Sequence, residues 1–89
     1  MPVTDNQDLH RFELEEGGLT AFANYRRSRG QIVIPHVEAP LPLRGKGTAS
    51  RLMEGIVELA RAEGVKITPT CSYARLWFAR HRSAGDVLA

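Results

Sequence analysis

Polar and apolar residues alternate from Arg11 through Phe12, Glu13, Leu14 and Glu15, the period of a half-buried strand. Glu16-Gly17-Gly18 interrupts the run as a turn. Leu19 to Tyr25 then reads as the returning strand of a hairpin. Ser28-Arg29-Gly30 marks a second turn, and Gln31 to Val37, with the β-branched run Ile32-Val33-Ile34, reads as a third strand. Beyond Pro42 the period changes. Ala49, Leu52, Met53, Ile56, Val57, Leu59 and Ala60 recur at helical spacing and predict a helix over 48–63, stopped by Gly64. Val65 to Pro69 reads as a fourth strand and Ser72 to Arg82 as a second helix. Its packing face is Ala74, Leu76, Trp77, Phe78 and His81, and Asp86-Val87-Leu88 docks the tail. Residues 1–8 are polar and read as a flexible lead-in, which leaves residues 9–89 as a single domain.

These elements predict an α+β chain with an α/β portion: an antiparallel meander leading into a strand-helix-strand unit with a final helix. The third and fourth strands are expected to be parallel, joined by a right-handed crossover, in a sheet of three to four strands.

Eighty-nine residues, 43% hydrophobic and 25% charged, suffice for one small core and little more. A net charge of +2, with arginines interspersed among acids, argues against nucleic acid as a partner. One cysteine excludes an internal disulfide and fits a reducing compartment. No apolar run is long enough to span a membrane, and the N-terminus lacks the basic-then-apolar order of a signal peptide, so the expectation is a cytoplasmic protein.

The densest chemistry lies in Pro42-Leu43-Arg44-Gly45-Lys46-Gly47-Thr48-Ala49, between a strand and a helix. The first amides of a helix have no internal partner, and the helix dipole adds positive charge there. Gly45 and Gly47 remove the Cβ atoms that would hold an anion off the backbone, and Arg44 and Lys46 add full charges. A phosphate cradle over Arg44, Gly45, Lys46, Gly47, Thr48 and Ala49 is therefore expected, against the alternative of a solvated loop that merely caps the helix. A Walker-type loop does not fit, because Gly47 separates Lys46 from Thr48. His36 and Glu38 share one face of their strand and form either an acid–base pair or a hydrogen-bonded strand end. Pro35 cannot donate to a ladder and marks a bulge or an unpaired edge. Cys71 stands where a helix begins, which favours a thiolate, or else is a small buried residue. Tyr73 offers a hydroxyl nearby. His10, His81 and Cys71 show no metal-ligand spacing, so no metal is assigned.

The spacing Arg44-x-x-Gly47-x-Ala49 at a strand-to-helix junction resembles the acetyl-CoA pyrophosphate signature of the GNAT superfamily of N-acetyltransferases, Arg/Gln-x-x-Gly-x-Gly/Ala. His36-Val37-Glu38-Ala39-Pro40, Leu43 to Gly47, Pro69-Thr70-Cys71-Ser72-Tyr73 and Arg80-His81 follow in the order found in very small single-domain members of that superfamily. The resemblance covers Phe12 to Leu88. It implies a minimal GNAT-like fold in which the two parallel strands splay apart and acetyl-CoA lies in the gap. The cofactor residues it implies are Arg44, Gly45, Lys46, Gly47, Thr48, Ala49, Cys71 and Tyr73. His36 or Glu38 would be the general base, and Cys71 would lie near the thioester. Three departures stand out. Val37 and Ala39 replace the family's Thr and Val, the chain has no room for the two helices that larger members insert between their first strands, and Phe78 holds the position of a tyrosine acid.

The expected function is therefore transfer of an acetyl group from acetyl-CoA to the amine of a small molecule or peptide, by a monomer or weak dimer. The alternatives are a non-catalytic coenzyme A or acyl-CoA module, and a small nucleic-acid or protein adaptor using the basic turn.

Overall fold

The structure is a computed structural model, and it describes residues 3–89. Strands β1 (Val3–Asn6), β2 (Arg11–Glu16), β3 (Leu19–Ser28) and β4 (Gln31–Glu38) form the antiparallel meander. Helix α1 (Thr48–Glu63) crosses over to β5 (Lys66–Pro69), which lies parallel to β4 at the end of a sheet ordered β1-β2-β3-β4-β5. Helix α2 (Ser72–Arg80) follows. The mixed α+β architecture expected from the sequence is thus present, with five strands in place of three to four.

The additional strand corrects the reading of residues 1–8 as a flexible lead-in: Val3–Asn6 pair with β2 from Val3↔Leu14 to Asn6↔Arg11. Val3 is buried in the core, and the Asp5 carboxylate accepts hydrogen bonds from Tyr25 Oη at 2.5 Å and Arg27 Nη2 at 3.1 Å. Such long-range partners cannot be read from a polar segment of four residues. Residues 1 and 2 lie outside the described residues. Arg27 also donates to Glu63 at 2.7 Å, tying the β3 end to the end of α1.

One face of the sheet carries Phe12, Leu14, Ala21, Ala23, Tyr25, Ile32, Ile34 and Ile67. These pack with Leu52, Met53, Ile56, Val57 and Ala60 of α1 and Ala74, Trp77 and Phe78 of α2 in a single core. Burial on this scale, at roughly 25 cal/mol per Å2 of apolar surface, is the main stabilising contribution. Gly64, with φ 72°, ends α1 in the left-handed conformation, and its N–H is bonded to the last turn. Helix α2 stops at Arg80, two residues before the expected end. Arg82–Val87 continue as a 3-10 turn that Arg61 clamps through Asp86 at 2.8 Å, and Leu88 bridges to Ile67. Among the described residues no helix is long and apolar enough to cross a membrane.

Candidate functional site

Strands β4 and β5 pair only from Gln31↔Lys66 to Ile34↔Pro69. Beyond that point the Ile34 carbonyl accepts the Thr70 N–H at 3.0 Å and the Cys71 N–H at 3.4 Å, and the chains part. Pro35–Glu38 therefore continue without a β5 partner. On the β3 side the register shifts, with Asn24↔His36 on one side of the irregularity and Arg26↔Val33 on the other. One residue, Tyr25, thus faces two, Ile34 and Pro35. The proline occupies a β-bulge, as its missing N–H predicted.

The bulge decides which face the candidate base occupies. Ile32 and Ile34 point into the core, so a regular strand would send His36 and Glu38 there too. With one extra residue inserted, Val37 returns to the core face, packing against the cluster. His36 and Glu38 emerge opposite Asn24 and Phe22 on the other face. Their side chains meet at 2.9 Å between His36 Nε2 and Glu38 Oε1, both about half exposed at 53% and 51%.

The segment after β4 turns through a short 3-10 helix, Leu41–Leu43, and Arg44 folds back to donate from Nε to the Ala39 carbonyl at 3.1 Å. Gly45 and Gly47 have φ of 78° and 80°, a region costly for any residue with a Cβ. The first hydrogen bond of α1 is Arg51 N–H to Gly47 O at 3.0 Å, so the amides of residues 48–50 lie ahead of the helical ladder. Thr48, 1% exposed, donates from Oγ1 to Glu16 Oε1 at 2.6 Å. Arg51 grips the same carboxylate at 2.7 and 2.8 Å, and its Nη2 also donates to the Lys46 carbonyl at 3.0 Å. In a trans peptide N–H and C=O point in opposite directions, so this contact turns the Gly47 N–H away from Arg51. The Arg51 and Thr48 hydrogen bonds hold the Glu16 carboxyl down to about 2.

A cleft of about 440 Å3 joins these parts. It is lined by His36, Glu38, Arg44, Gly45, Gly47, Thr48, Ala49 and Tyr73 from the sequence-predicted set, with Leu43, Ser50, Val37 and Ala39 added by the fold. Lys46 and Cys71 are outside the lining. Cys71 is the N-cap of α2, and its Sγ accepts the Ala74 N–H at 3.3 Å. Tyr73, in the first turn of α2, has its phenol pushed up by burial, with the neighbouring Cys71 thiol adding to the effect. Phe78, at the position of the family's tyrosine acid, is buried. Glu16 and Arg51 were not legible as site residues. Glu16 reads as a turn flank, and its guanidinium partner is 35 residues away.

A sheet splayed beside a bulge, with a glycine-rich helix start facing the gap, defines an acyl-transferase type of scaffold. The family model described as GCN5-related N-acetyl-transferase matches residues 11–87, and the chain belongs to that family. The NMR solution structure of a GCN5-like candidate N-acetyltransferase from Staphylococcus aureus is similar over 98% of this chain and 86% of that one, with a TM-score of 0.71 and 26% identity. A comparison with curated proteins finds no match.

Proposed function

We propose that the protein transfers the acetyl group of acetyl-CoA to an amine carried by a small molecule or peptide. The observation that carries this reading is a single cleft whose lining runs from Arg44, Gly45, Gly47, Thr48 and Ala49 to the His36–Glu38 pair. A diphosphate suits the cradle's chemistry. No atom outside the adjoining residues lies within 4 Å of an ideal Gly45 Cβ, the amides of residues 48–50 precede the helical ladder, and Arg44 and Lys46 balance the charge. Acetyl-CoA supplies an activated acyl thioester when bound.

The remaining chemistry belongs to the chain. An aliphatic amine is an ammonium ion at neutral pH and must lose a proton before it attacks. A neutral His36 that gives its Nε2–H to Glu38 keeps the lone pair on Nδ1, and that atom is the base we assign. Glu38 orients the ring and offsets the imidazolium charge. Tyr73, kept protonated by its surroundings, is the phenol assigned to return a proton to the departing sulfur, since Phe78 has none to give. Cys71, where β4 and β5 part, is assigned as a neighbour of the acyl group.

Calorimetric titration with acetyl-CoA, followed by a transfer assay on polyamines and lysine-bearing peptides, tests this reading. Saturable binding that Arg44→Ala weakens, with acetylated amine as product, is the expected result. No binding overturns it. Binding without transfer to any acceptor would make the chain a coenzyme A module instead.

A further inference from the structure

Both helices pack on one face of the sheet, and the other face is uncovered among the described residues. Phe12, Leu14, Ala21 and Ala23 are buried on the core side, whereas Arg11, Glu13, Phe22 and Asn24, which alternate with them, are only half-buried. His36 and Glu38 emerge on the uncovered face and also line the cleft, so the proposed base stands between the two. Strand register sets what surrounds it. Asn24 lies opposite His36 on one side and Arg11 on the other, and Phe22 lies opposite Glu38 and Glu13. The Phe22 ring centre is 6.2 Å from that of His36, and the Arg11 guanidinium lies over the same ring at 4.4 Å.

Asn24 is the anomaly in this row. Strand β3 is the middle one of five, and asparagine is among the poorer strand formers. The strands carry three carboxamides, on Asn6, Asn24 and Gln31. Asn6 donates to Glu13 at 3.0 Å and Gln31 accepts from Thr68 at 2.8 Å, but the half-buried Asn24 makes no side-chain hydrogen bond among the described residues. The charges around it are already matched. Arg11 meets Glu13 at 2.6 Å and His36 meets Glu38 at 2.9 Å, so the unpartnered group in the row is a neutral one.

A carboxamide offers an acceptor oxygen and two N–H donors, the complement of the N–H and C=O of a peptide group. Opposite residues of a strand pair have Cβ atoms about 5 Å apart, so a group bonded to Asn24 sits a few bonds from an amine at His36 Nδ1. A thioester held in the cleft leaves the uncovered face to the acceptor. We propose that the acceptor binds on this face and is an amine with an amide next to it, as in an aminoacyl amide or the N-terminus of a peptide. Asn24 Oδ1 accepts the amide N–H, Asn24 Nδ2 donates to the amide carbonyl, and the Phe22 ring supports the adjoining side chain. Asn24 thereby selects peptide-type amines over those that lack an amide. The inference rests on acetyl transfer with His36 as base, and adds the class of acceptor and the residue that recognises it.

The test compares acetyl transfer by the full chain to alanine N-methylamide, which carries a peptide N–H, and to alanine N,N-dimethylamide, which has the same amine but no amide N–H. The wild type should favour the N-methylamide in kcat/KM by roughly five- to tenfold, the range of one hydrogen bond exchanged with water. Asn24→Val should erase that preference while keeping its Tm, because valine favours strands. Asn24→Ala is the second variant and should erase it too. Equal wild-type values, or a preference that survives in both variants, overturn the assignment of Asn24. So does transfer to simple alkylamines with none to either amide, and each of these results leaves the acetyl-transfer reading standing. A wild type that acetylates no amine overturns that reading as well. A fall in Tm with both substrates slowed alike would make Asn24 structural and overturn the inference.

Discussion

Ile34 and Val37 face the same core although three positions separate them in one strand, because the bulge at Pro35 inserts one residue between them. The same insertion carries His36 and Glu38 to the opposite face, beside the splay between β4 and β5.

If His36 is the base, His36→Ala should lower the rate of acetyl transfer by roughly 100-fold while leaving acetyl-CoA affinity unchanged. Glu38→Gln, which keeps the side-chain shape but removes the charge, should cost less. Steady-state kinetics alongside a calorimetric Kd separates the two effects. An unaltered rate in His36→Ala would remove it from the mechanism and point to an amine that arrives neutral.

The two cradle glycines should respond differently to alanine. Both sit at positive φ, so each substitution should cost about 1–2 kcal/mol from the backbone alone. A Cβ at Gly45 would meet nothing within 4 Å, but one at Gly47 would lie 3.0 Å from Arg51 Nη1. Gly47→Ala should therefore displace the guanidinium that holds the Lys46 carbonyl, and lose more in urea unfolding and more in acetyl-CoA affinity than Gly45→Ala. Equal losses in both variants would show that Arg51 does not shape the cradle.

Acid should weaken the link between the β2–β3 hairpin and α1. Arg51 and Thr48 hold the Glu16 carboxyl at about 2 in the folded chain, against 4.5 for the free group. A depressed carboxylate contributes its stability in full above the unfolded value and loses it as pH falls through the folded one. The advantage in Tm of the wild type over Glu16→Gln should thus be constant above pH 5 and shrink between about 4.5 and 2. An advantage unchanged across that window would mean that Glu16 contributes as a neutral hydrogen-bonding group.

Cys71 offers a contrast between a cap and a reacting thiol. Its Sγ accepts the Ala74 N–H, so Cys71→Ser, which supplies a better cap, should keep or slightly raise Tm, and Cys71→Ala should lower stability by about 0.5–1 kcal/mol. Acetyl-CoA should slow alkylation of the thiol by iodoacetamide if Cys71 neighbours the acyl group. Equal alkylation rates with and without the ligand would leave the thiol a structural cap alone. Full transfer activity in Cys71→Ser would exclude a nucleophilic role.

The sequence determined what depends on near neighbours. Alternation over 11–15, the helical period over 48–63, Gly64 as a stop, Gly45 and Gly47 at a helix start, and Pro35 at a bulge are all local patterns, read from a few residues at a time. His36 and Glu38 could be paired on one face because strand side chains alternate. Which face that would be, and that the cradle and the pair share one cleft, only the tertiary structure decided. The register of β4 against both β3 and β5 sets it, and that register depends on partners distant in the chain. The same holds for β1, a polar segment recruited by Leu14, Tyr25 and Arg27, and for Arg51, whose role exists only because Glu16 is brought to it from 35 residues away. Local periodicity carries no information about such contacts, because the free energy that makes them comes from closing the sheet and its core as a whole.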